Sequence, residues 1–240
     1  LGDVYKRQIS NTNNFDMEEF RTTVKDAVSM CSIGDKKIGV FLSGGTDSSM
    51  IAYELHKLQG HVNSFTTRWT PDPKTIHEDY NDDANMAKKL AGDFGFDHIE
   101  VNIDPKVYAE YWNDSVISAE QLMRNPSLPA YLYTNKVMKD HNIKVTMAGD
   151  LGDELLCGYP RHGTISGLDS WRNICKLLVT GQKTAGKVNN NLYSRDEVLE
   201  EFMKHYTDDL YNDKDPLGSF CALEVTAICP EDMLLSLIHI

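Results

Sequence analysis

The feature that most constrains this chain is the stretch GVFLSGGTDSSMIAYEL, which begins at Gly39. A short, nearly continuous apolar run (KIGVFL) ends in Ser-Gly-Gly, and the residues after Asp47 are typical of a helix that Gly60 is well placed to end. Such apolar runs are typical of buried parallel strands, because helices cover both faces of a parallel sheet. The stretch therefore predicts a strand, a glycine-rich turn and a helix that opens directly from the turn.

The alternation of strand and helix continues along the chain. Asp16 and Glu19 have the spacing of a capping box at the start of a first helix. Three further apolar runs predict strands, and they read VNSFTTRW, HIEVNI and IKVTMAG. The segments between them predict helices, among them one continuous helix through VYAEYWNDSVISAEQL and another from Tyr131 to Asp140. This order predicts an α/β fold, a doubly wound parallel sheet with flanking helices.

The pattern changes after Tyr159, where the segments become polar and helical in character with no clear strand. We therefore expect an α/β core over residues 9–160 and a mostly helical, truncated C-terminal part over residues 161–234.

Composition narrows the classes of function. The 240 residues carry a formal net charge of -12 and no long basic run, which argues against a nucleic-acid groove because phosphate backbones are held by clustered Lys and Arg. The five cysteines show no metal-binding spacing and are typical of reduced thiols. No apolar run approaches the ~20 residues that span a bilayer. The expectation is a cytoplasmic protein without nucleic-acid or membrane partners.

The two ends of the sequence are related through the genetic code. One coding of LSLIHI at residues 235–240 is CTG TCT CTT ATA CAC ATC, and its reverse complement translates as DVYKRQ, the sequence from Asp3 to Gln8. This relation resembles a sequencing-library adapter translated in frame. We therefore expect residues 1–8 and 235–240 to be artefacts that take no part in the fold.

The glycine-rich turn has the composition of an anion site. Gly44 and Gly45 let the backbone approach a ligand closely, and the N-terminus of the following helix attracts negative charge. Asp47 would repel a phosphate unless a cation lies between them, and Mg²⁺ prefers carboxylate and phosphate oxygens together. The alternative is a structural turn in which Asp47 or Ser48 caps the helix. The turn is neither a Walker loop, because no lysine follows the glycines, nor a nucleophile elbow around Ser43.

A second acidic turn, AGDLGDE, follows the fourth predicted strand. It places Asp150, Asp153 and Glu154 within a short segment, and carboxylates this close favour a bound cation. A solvated turn with Asp153 as a helix cap is the alternative. In a parallel sheet the ligand crevice lies beyond the carboxyl ends of the strands, where both turns are expected. Together they indicate a metal-bridged nucleotide site.

These motifs resemble a known family. SGGTDSS is similar to the SGGxDS loop of the PP-loop ATP-pyrophosphatase superfamily, which has a HUP-like fold, and AGDLGDELLCGY resembles the S-G-E-G-S-D-E-x-x-G-G-Y segment of asparagine synthetases. The intervening segments SFTTRW, EDYNDDANMAKKLAGDFGFDHIEV and LPAYLYTNKVMKDHNIKVTMAGD fall in the family's order. The chain is thereby identified as a member of the asparagine synthetase family, most clearly between Phe15 and Tyr159.

The resemblance implies ATP-dependent conversion of aspartate to asparagine. The aspartate carboxylate would attack the α-phosphorus of ATP, pyrophosphate would leave, and ammonia would displace AMP from the β-aspartyl-adenylate. The implied cofactors are ATP and Mg²⁺, and the implied source of ammonia is glutamine, hydrolysed by an N-terminal glutaminase domain outside this sequence. Homodimerisation is a further hypothesis. A Walker lysine serves chemistry at the β–γ side, whereas this loop would hold pyrophosphate as the leaving group, which explains the missing lysine.

The family's functional residues carry over by position. The implied pyrophosphate-binding residues are Ser43, Gly44, Gly45, Asp47 and Ser48. The implied nucleoside contacts are Phe41, Thr67 and Gly149, with Ala148 in the same cofactor-binding set. The implied Mg²⁺ ligands are Asp47 and Asp153, and the implied catalytic residues are these two together with Asp150.

The second motif departs from the family pattern at several positions. Asp150 stands where the family has a Glu, which shortens the reach by one methylene. Ala148 replaces a Ser, Leu151 and Gly152 stand in for Gly-Ser, and Cys157 replaces a Gly. The alternatives are therefore another adenylating amide- or lactam-forming synthetase, similar to β-lactam synthetase, and a degenerate nucleotide-binding module. As a fragment the chain is expected to be inactive, because the family uses basic residues further downstream on ATP.

Overall fold

The structure is a computed structural model, and it describes residues 15–70, 81–119, 126–167, 170–180, 195–205, 211–212 and 214–225. The described residues divide into two compact units, a first unit over residues 15–150 and a second unit over residues 151–225. The division falls after Asp150, whereas the sequence pattern changes near residue 160. The two adapter-like ends lie outside the described residues.

The elements of the first unit alternate as predicted. In chain order they are α1 Met17–Cys31, β1 Ile38–Phe41, α2 Thr46–Gln59, β2 Asn63–Trp69, α3 Asp82–Phe94, β3 Asp97–Ile103, α4 Pro105–Glu110, α5 Trp112–Ala119, α6 Leu128–Asp140 and β4 Val145–Met147.

The strands form a parallel sheet in the order β3-β2-β1-β4. β1 is central and pairs with β2 on one side, where Gly39 lies opposite Asn63. On its other side β1 pairs with β4, where Val40 lies opposite Met147. The chain therefore changes direction across the sheet at β1, and the carboxyl ends of β1 and β4 lie side by side. Open parallel sheets bind their ligands at such a point.

Two apolar clusters cover the sheet, and each is built on different helices. The first joins strand residues such as Ile38 and Val40 to Val28 of α1, Leu55 of α2 and Ala87 of α3. The second joins strand residues to helices α4 and α6, and its buried members are Phe65, Val101, Ile103, Ala130, Met138 and Ile143. Helices on both faces explain why the strands read as continuous apolar runs. The predicted doubly wound fold is confirmed.

Local sequence signals mark the start of α1 and the end of α2, but they did not predict the break between α4 and α5. Asp16 caps α1 by accepting hydrogen bonds from the backbone nitrogens of Glu18 and Glu19, and Gly60 ends α2 with φ +68°. The single helix predicted through VYAEYWNDSVISAEQL is wrong, because its described part forms α4 and α5 with a break at Tyr111. Tyr111 packs on Tyr133 of α6 at 5.1 Å between ring centroids and accepts a hydrogen bond from Lys136. These tertiary contacts have no signal in the local sequence.

The second unit is helical, as predicted. Its elements are α7 Gly152–Leu156, a 3₁₀ helix Pro160–Gly167, α8 Trp171–Thr180, α9 Arg195–His205 and α10 Pro216–Leu223. They enclose their own apolar core, whose buried members are Ile165, Trp171, Ile174, Cys175, Leu199, Phe220 and Leu223. Among the described residues, no helix is long and apolar enough to cross a membrane.

Candidate functional site

The turn after β1 leads directly into α2. The backbone nitrogen of Leu42 donates to the carbonyl of Phe65, so the strand pairing continues up to the turn. Gly45 is the N-cap of α2, and as a glycine it has no side chain to cap the helix. The first N–H groups of an α-helix have no intrahelical partner. This end of α2 is therefore a place where backbone donors and the helix dipole favour an anion.

The side chains of Ser43 and Ser48 form a hydrogen bond with each other within the turn. Their Oγ atoms are 2.9 Å apart, and the backbone nitrogen of Ser43 donates to Ser48 Oγ at 3.1 Å. Ser43 Oγ also accepts from the backbone nitrogen of Gly45 at 3.2 Å. Ser48 is buried, whereas Ser43 is exposed. The hydroxyl groups thus hold the turn in shape, and backbone groups are left as the main surface for a ligand.

Two features of the turn require a glycine at position 44, a left-handed backbone and a close approach to another backbone. Its φ of +83° lies in the left-handed region, which a Cβ disfavours. A Cβ at this position would also lie 2.6 Å from the carbonyl oxygen of Asp83 and 2.9 Å from the nitrogen of Ala87. The turn is therefore packed on the backbone of α3, which fixes its position relative to the sheet.

The turn after β4 touches the first turn of α2. A Cβ on Gly149 would lie 2.6 Å from the backbone nitrogen of Ser48 and 3.0 Å from Cβ of Asp47. This close approach follows from the pairing of β1 with β4, which brings the two strand ends together. Two of the sequence-predicted positions, Asp47 and Gly149, are thereby adjacent in space although a hundred residues separate them.

Phe41 and Asp150 share a neighbour that the sequence analysis missed. The ring of Tyr131, in α6, meets Phe41 edge-on at 5.8 Å between centroids. Burial raises the pKa of the Tyr131 hydroxyl, and the negative charge of Asp150 raises it further. Tyr131 therefore remains a neutral hydroxyl beside the end of β1 and the acidic turn. Its sequence context, LPAYLY, indicates only the start of a helix.

Thr67 lies on β2 and also contacts α6. Its Oγ1 is 3.4 Å from Oγ1 of Thr134, a buried residue whose hydroxyl donates to the carbonyl of Ala130 at 2.8 Å. Because the Thr134 hydrogen is used in this way, Thr67 is the donor between the two hydroxyls. Ala148 is half-buried just beyond β4. In the first unit, Thr67, Ala148, Phe41 and Gly149 thus all lie at or near the carboxyl ends of their strands.

The remaining part of the acidic turn belongs to the second unit. Leu151, with φ +75°, precedes α7, and Asp153 lies in the first turn of this short helix. The carboxylate of Asp153 packs against Gly158, where a Cβ would overlap Asp153 Oδ1. The backbone nitrogen of Gly158 donates to the Asp153 carbonyl at 3.0 Å. The glycine therefore leaves room for the Asp153 side chain in this orientation.

Glu154 is the third carboxylate of the turn, and it points away from solvent. It is 5% exposed and accepts a hydrogen bond from the Tyr159 hydroxyl at 2.9 Å. Burial and this hydrogen bond raise the pKa of Tyr159 far above its ordinary value. The predicted grouping of three carboxylates is thus divided, because Glu154 is used inside the second unit.

A buried ion pair anchors the segment that follows the turn. Glu224 is 1% exposed and accepts from Nε of Arg161 at 2.9 Å and from Nε2 of His162 at 2.8 Å. The backbone nitrogen of Tyr159 donates to Nδ1 of His162, so the ring hydrogen sits on Nε2. The Arg161 guanidinium also lies 3.9 Å from the centre of the Tyr159 ring. These contacts tie the 3₁₀ helix to the end of α10.

The donor set suits Mg²⁺ bound together with a nucleotide better than Mg²⁺ bound by protein alone. Among the described residues there is no group of three or more His, Cys, Asp or Glu side chains that could hold a metal ion. Mg²⁺ is commonly held by one or two carboxylates plus substrate phosphates. Asp47, half-buried in the first turn of α2, fits that role, because the same turn offers backbone donors for phosphate.

The fold is an open parallel sheet on which two glycine-containing turns meet at the carboxyl ends of β1 and β4. The sequence pattern of the asparagine synthase family matches residues 19–235. The chain therefore belongs to the asparagine synthase family.

Individual relatives agree with this assignment. The chain is 27% identical over 154 residues to a glutamine-hydrolysing asparagine synthetase of Gallus gallus, a match that covers 61% of this chain and 27% of that protein. It is 25% identical over 143 residues to a glutamine-hydrolysing asparagine synthetase of Bacillus subtilis, covering 60% of this chain and 21% of that protein. It is 27% identical over 157 residues to the glutamine-hydrolysing asparagine synthetase B of Escherichia coli, covering 61% of this chain and 28% of that protein. The match thus spans only between a fifth and a third of these relatives.

Among solved structures, the NMN synthetase of Francisella tularensis is similar to part of this chain. The TM-score is 0.40 and the sequence identity 17%, and the likeness covers 61% of this chain and 60% of the other.

Proposed function

We propose that the protein carrying this chain converts aspartate to asparagine with ATP, through a β-aspartyl-AMP intermediate, and releases AMP and pyrophosphate. The observation that carries the proposal is the close packing of Gly149 on Asp47 and Ser48, which joins the turns after β1 and β4 at one sheet edge. The names of the relatives, all glutamine-hydrolysing asparagine synthetases, support aspartate as the acid and glutamine as the source of ammonia.

In this proposal the turn after β1 binds the leaving pyrophosphate. Backbone N–H groups at the start of α2, with Ser43, Gly44, Gly45 and Ser48, surround the β- and γ-phosphates. Hydrogen-bond donors fixed before the reaction stabilise the charge that develops on the leaving group. The bonds between Ser43 and Ser48 support this role, because they hold the turn rigid without a ligand.

The nucleoside would lie along the strand ends, against Phe41, Thr67, Ala148 and Gly149. Asp47 and Asp153 would hold Mg²⁺, which supplies positive charge between the carboxylates and the phosphates when it is bound. Asp150 would contact the reacting aspartate or the ammonia. We place the reaction in the cytoplasm, in keeping with the thiol state of Cys31, Cys157, Cys175 and Cys221.

One observation favours a second candidate. Asp150 is shorter by one methylene than the Glu of the family motif, and it lies near Tyr131, whose pKa it raises. A shorter carboxylate at this point leaves room for a larger acid substrate. The second candidate is therefore an adenylating synthetase that forms an amide or lactam from a different acid.

A pyrophosphate-release assay separates these possibilities. The gene product that carries this chain is incubated with ATP, Mg²⁺ and a nitrogen donor, together with single amino acids and other carboxylic acids. Aspartate-dependent release with asparagine as product is the expected result. Release with a different acid would favour the second candidate, and ATP binding without release would favour a nucleotide-binding module and contradict both.

A further inference from the structure

Two cysteine side chains meet inside the second unit. The Sγ atoms of Cys157 and Cys221 are 3.4 Å apart, although 64 residues separate the two positions in the chain. Cys157 follows α7, and Cys221 lies in α10. Neither residue has a role in the proposed adenylation chemistry. The contact is therefore a feature that the function leaves unexplained.

The backbone at Cys157 gives no reason for a cysteine. Its φ of +62° is left-handed, and it caps the C-terminus of α7, a position that strongly favours glycine. The motif that this segment resembles has a Gly at this position, so a cysteine here stands against the backbone preference. What the Cys157 side chain does in this structure is touch the sulfur of Cys221.

The burial of the two thiols sets the order in which they would be oxidised. Cys157 is half-buried and Cys221 is buried, so an oxidant reaches Cys157 first. Burial raises the pKa of Cys221 to about 12, and the hydrogen bond with Cys157 adds to the shift. Cys221 therefore stays protonated at neutral pH, and its reaction with Cys157 depends on the two sulfur atoms being held 3.4 Å apart.

We propose that Cys157 and Cys221 are an oxidation site that forms a reversible disulfide with hydrogen peroxide as oxidant. Cys157 attacks the peroxide, forms a sulfenic acid and releases one water molecule. Cys221 then attacks the sulfenic sulfur, the S–O bond breaks, and a second water carries away the thiol proton and the hydroxide. The peroxide gains the two electrons that the two thiols lose, and a dithiol returns them on reduction.

The disulfide would change the position of the acidic turn. A disulfide has a length of about 2.05 Å, so closing it draws the two sulfur atoms roughly an ångström closer together and changes the packing of the end of α7 on α10. α7 carries Asp153 and Glu154, and an ångström of displacement near a reacting site costs on the order of 10²-fold in rate. This part of the inference rests on the proposed function, whereas the disulfide itself does not.

Peptide mapping tests the disulfide independently of activity. The protein is treated with hydrogen peroxide, alkylated, digested without reductant and analysed by mass spectrometry. We expect a linked Cys157–Cys221 peptide that dithiothreitol removes, that is absent in Cys157→Gly and Cys221→Ala, and that persists in the matched control Cys31→Ser. Cys157→Gly suits the left-handed backbone, so its fold is preserved. Two results would overturn the proposal. Cys157 and Cys221 could stay unlinked while Cys31 is oxidised, or either of them could form its disulfide with Cys175 or Cys229 instead.

Activity then tests the consequence. Oxidised wild-type protein should release pyrophosphate roughly 10²-fold more slowly than reduced protein. Dithiothreitol should restore the rate, and peroxide should leave Cys157→Gly unchanged. Full activity in cross-linked protein would refute the regulatory effect. If reduced protein releases no pyrophosphate with any acid, the proposed function fails. Peptide mapping still decides whether the disulfide forms, because it does not depend on activity.

Discussion

Gly149 lies so close to Ser48 that a Cβ on the glycine would be 2.6 Å from the serine's backbone nitrogen. This contact joins the turn after β4 to the first turn of α2, and it exists because β1 and β4 are neighbours in the sheet. The close approach of one backbone to the other thus brings the two turns of the first unit together.

Gly149→Ala is expected to reduce pyrophosphate release by roughly 10²-fold, because the added methyl group pushes the start of α2 away from its position. The matched control is Gly92→Ala in α3, where a Cβ meets nothing within 4 Å. The control should keep the wild-type rate and gain about 0.5–1 kcal/mol of stability, since alanine is a better helix former. Equal rates for the two variants would contradict the packing argument.

Asp47→Asn keeps the shape of the side chain and removes its charge. We expect a loss of turnover on the order of 10²-fold or more, because an uncharged amide is a poor Mg²⁺ ligand. Titrating Mg²⁺ at saturating ATP measures the effect, and the variant should need more metal for half-maximal rate. Asp35→Asn, in the exposed turn before β1, is the control and should match the wild type. Wild-type turnover in Asp47→Asn would refute its role.

Glu224→Ala should destabilise the second unit by about 3–5 kcal/mol, because it leaves His162 and Arg161 without their buried partner. Glu201→Ala removes an exposed carboxylate that pairs with Lys204 at 2.8 Å, and it should cost no more than about 1 kcal/mol. Denaturant unfolding followed by circular dichroism compares the two variants. Equal midpoints would show that the Glu224 contacts do not contribute net stability.

The stability of the first unit should fall in acid through Glu100. Burial alone would raise the pKa of Glu100, but hydrogen bonds from Lys88 and Arg68 outweigh it and lower the pKa below the ordinary value of 4.5. The unfolded chain then takes up the proton first, so this contribution is full above pH 4.5 and is lost as the pH falls further.

Glu100→Gln should therefore lower stability at neutral pH and flatten the dependence below pH 4.5. Unfolding midpoints measured between neutral pH and about pH 3 test this expectation. Glu18→Gln, which removes an exposed carboxylate of α1, is the control and should leave the slope unchanged. A slope in Glu100→Gln equal to that of the wild type would exclude Glu100 as its source.

Local sequence patterns predicted most of the first unit's architecture. Apolar runs marked the strands, and Asp16 and Gly60 marked helix ends, because caps act within a few residues of their own position. Asp104 and Pro105 mark the start of α4, where Asp104 accepts from the backbone nitrogen of Val107 at 2.7 Å. The break at Tyr111 was missed because Tyr111 contacts Tyr133 and Lys136 of α6, which lie more than twenty residues away in the sequence.

Part of the candidate site was also readable from the sequence. The glycines of the first turn and the acids of the second turn stand out, because their residue types are unusual at strand ends. Tyr131 and Thr134 do not stand out, since their meaning depends on α6 packing against β1 and β2. Glu154 was grouped with Asp150 and Asp153, and only the structure shows that it bonds to Tyr159 instead.

The sequence by itself determined the order of strands and helices, the two chemically unusual turns and the family. These properties depend on periodicity and residue type, which act over short distances along the chain. The tertiary structure decided which turns touch, how Ser43 and Ser48 brace each other, and that Cys157 meets Cys221. Such contacts join residues distant in sequence, and packing of the whole chain fixes them because no local preference selects one distant partner over another.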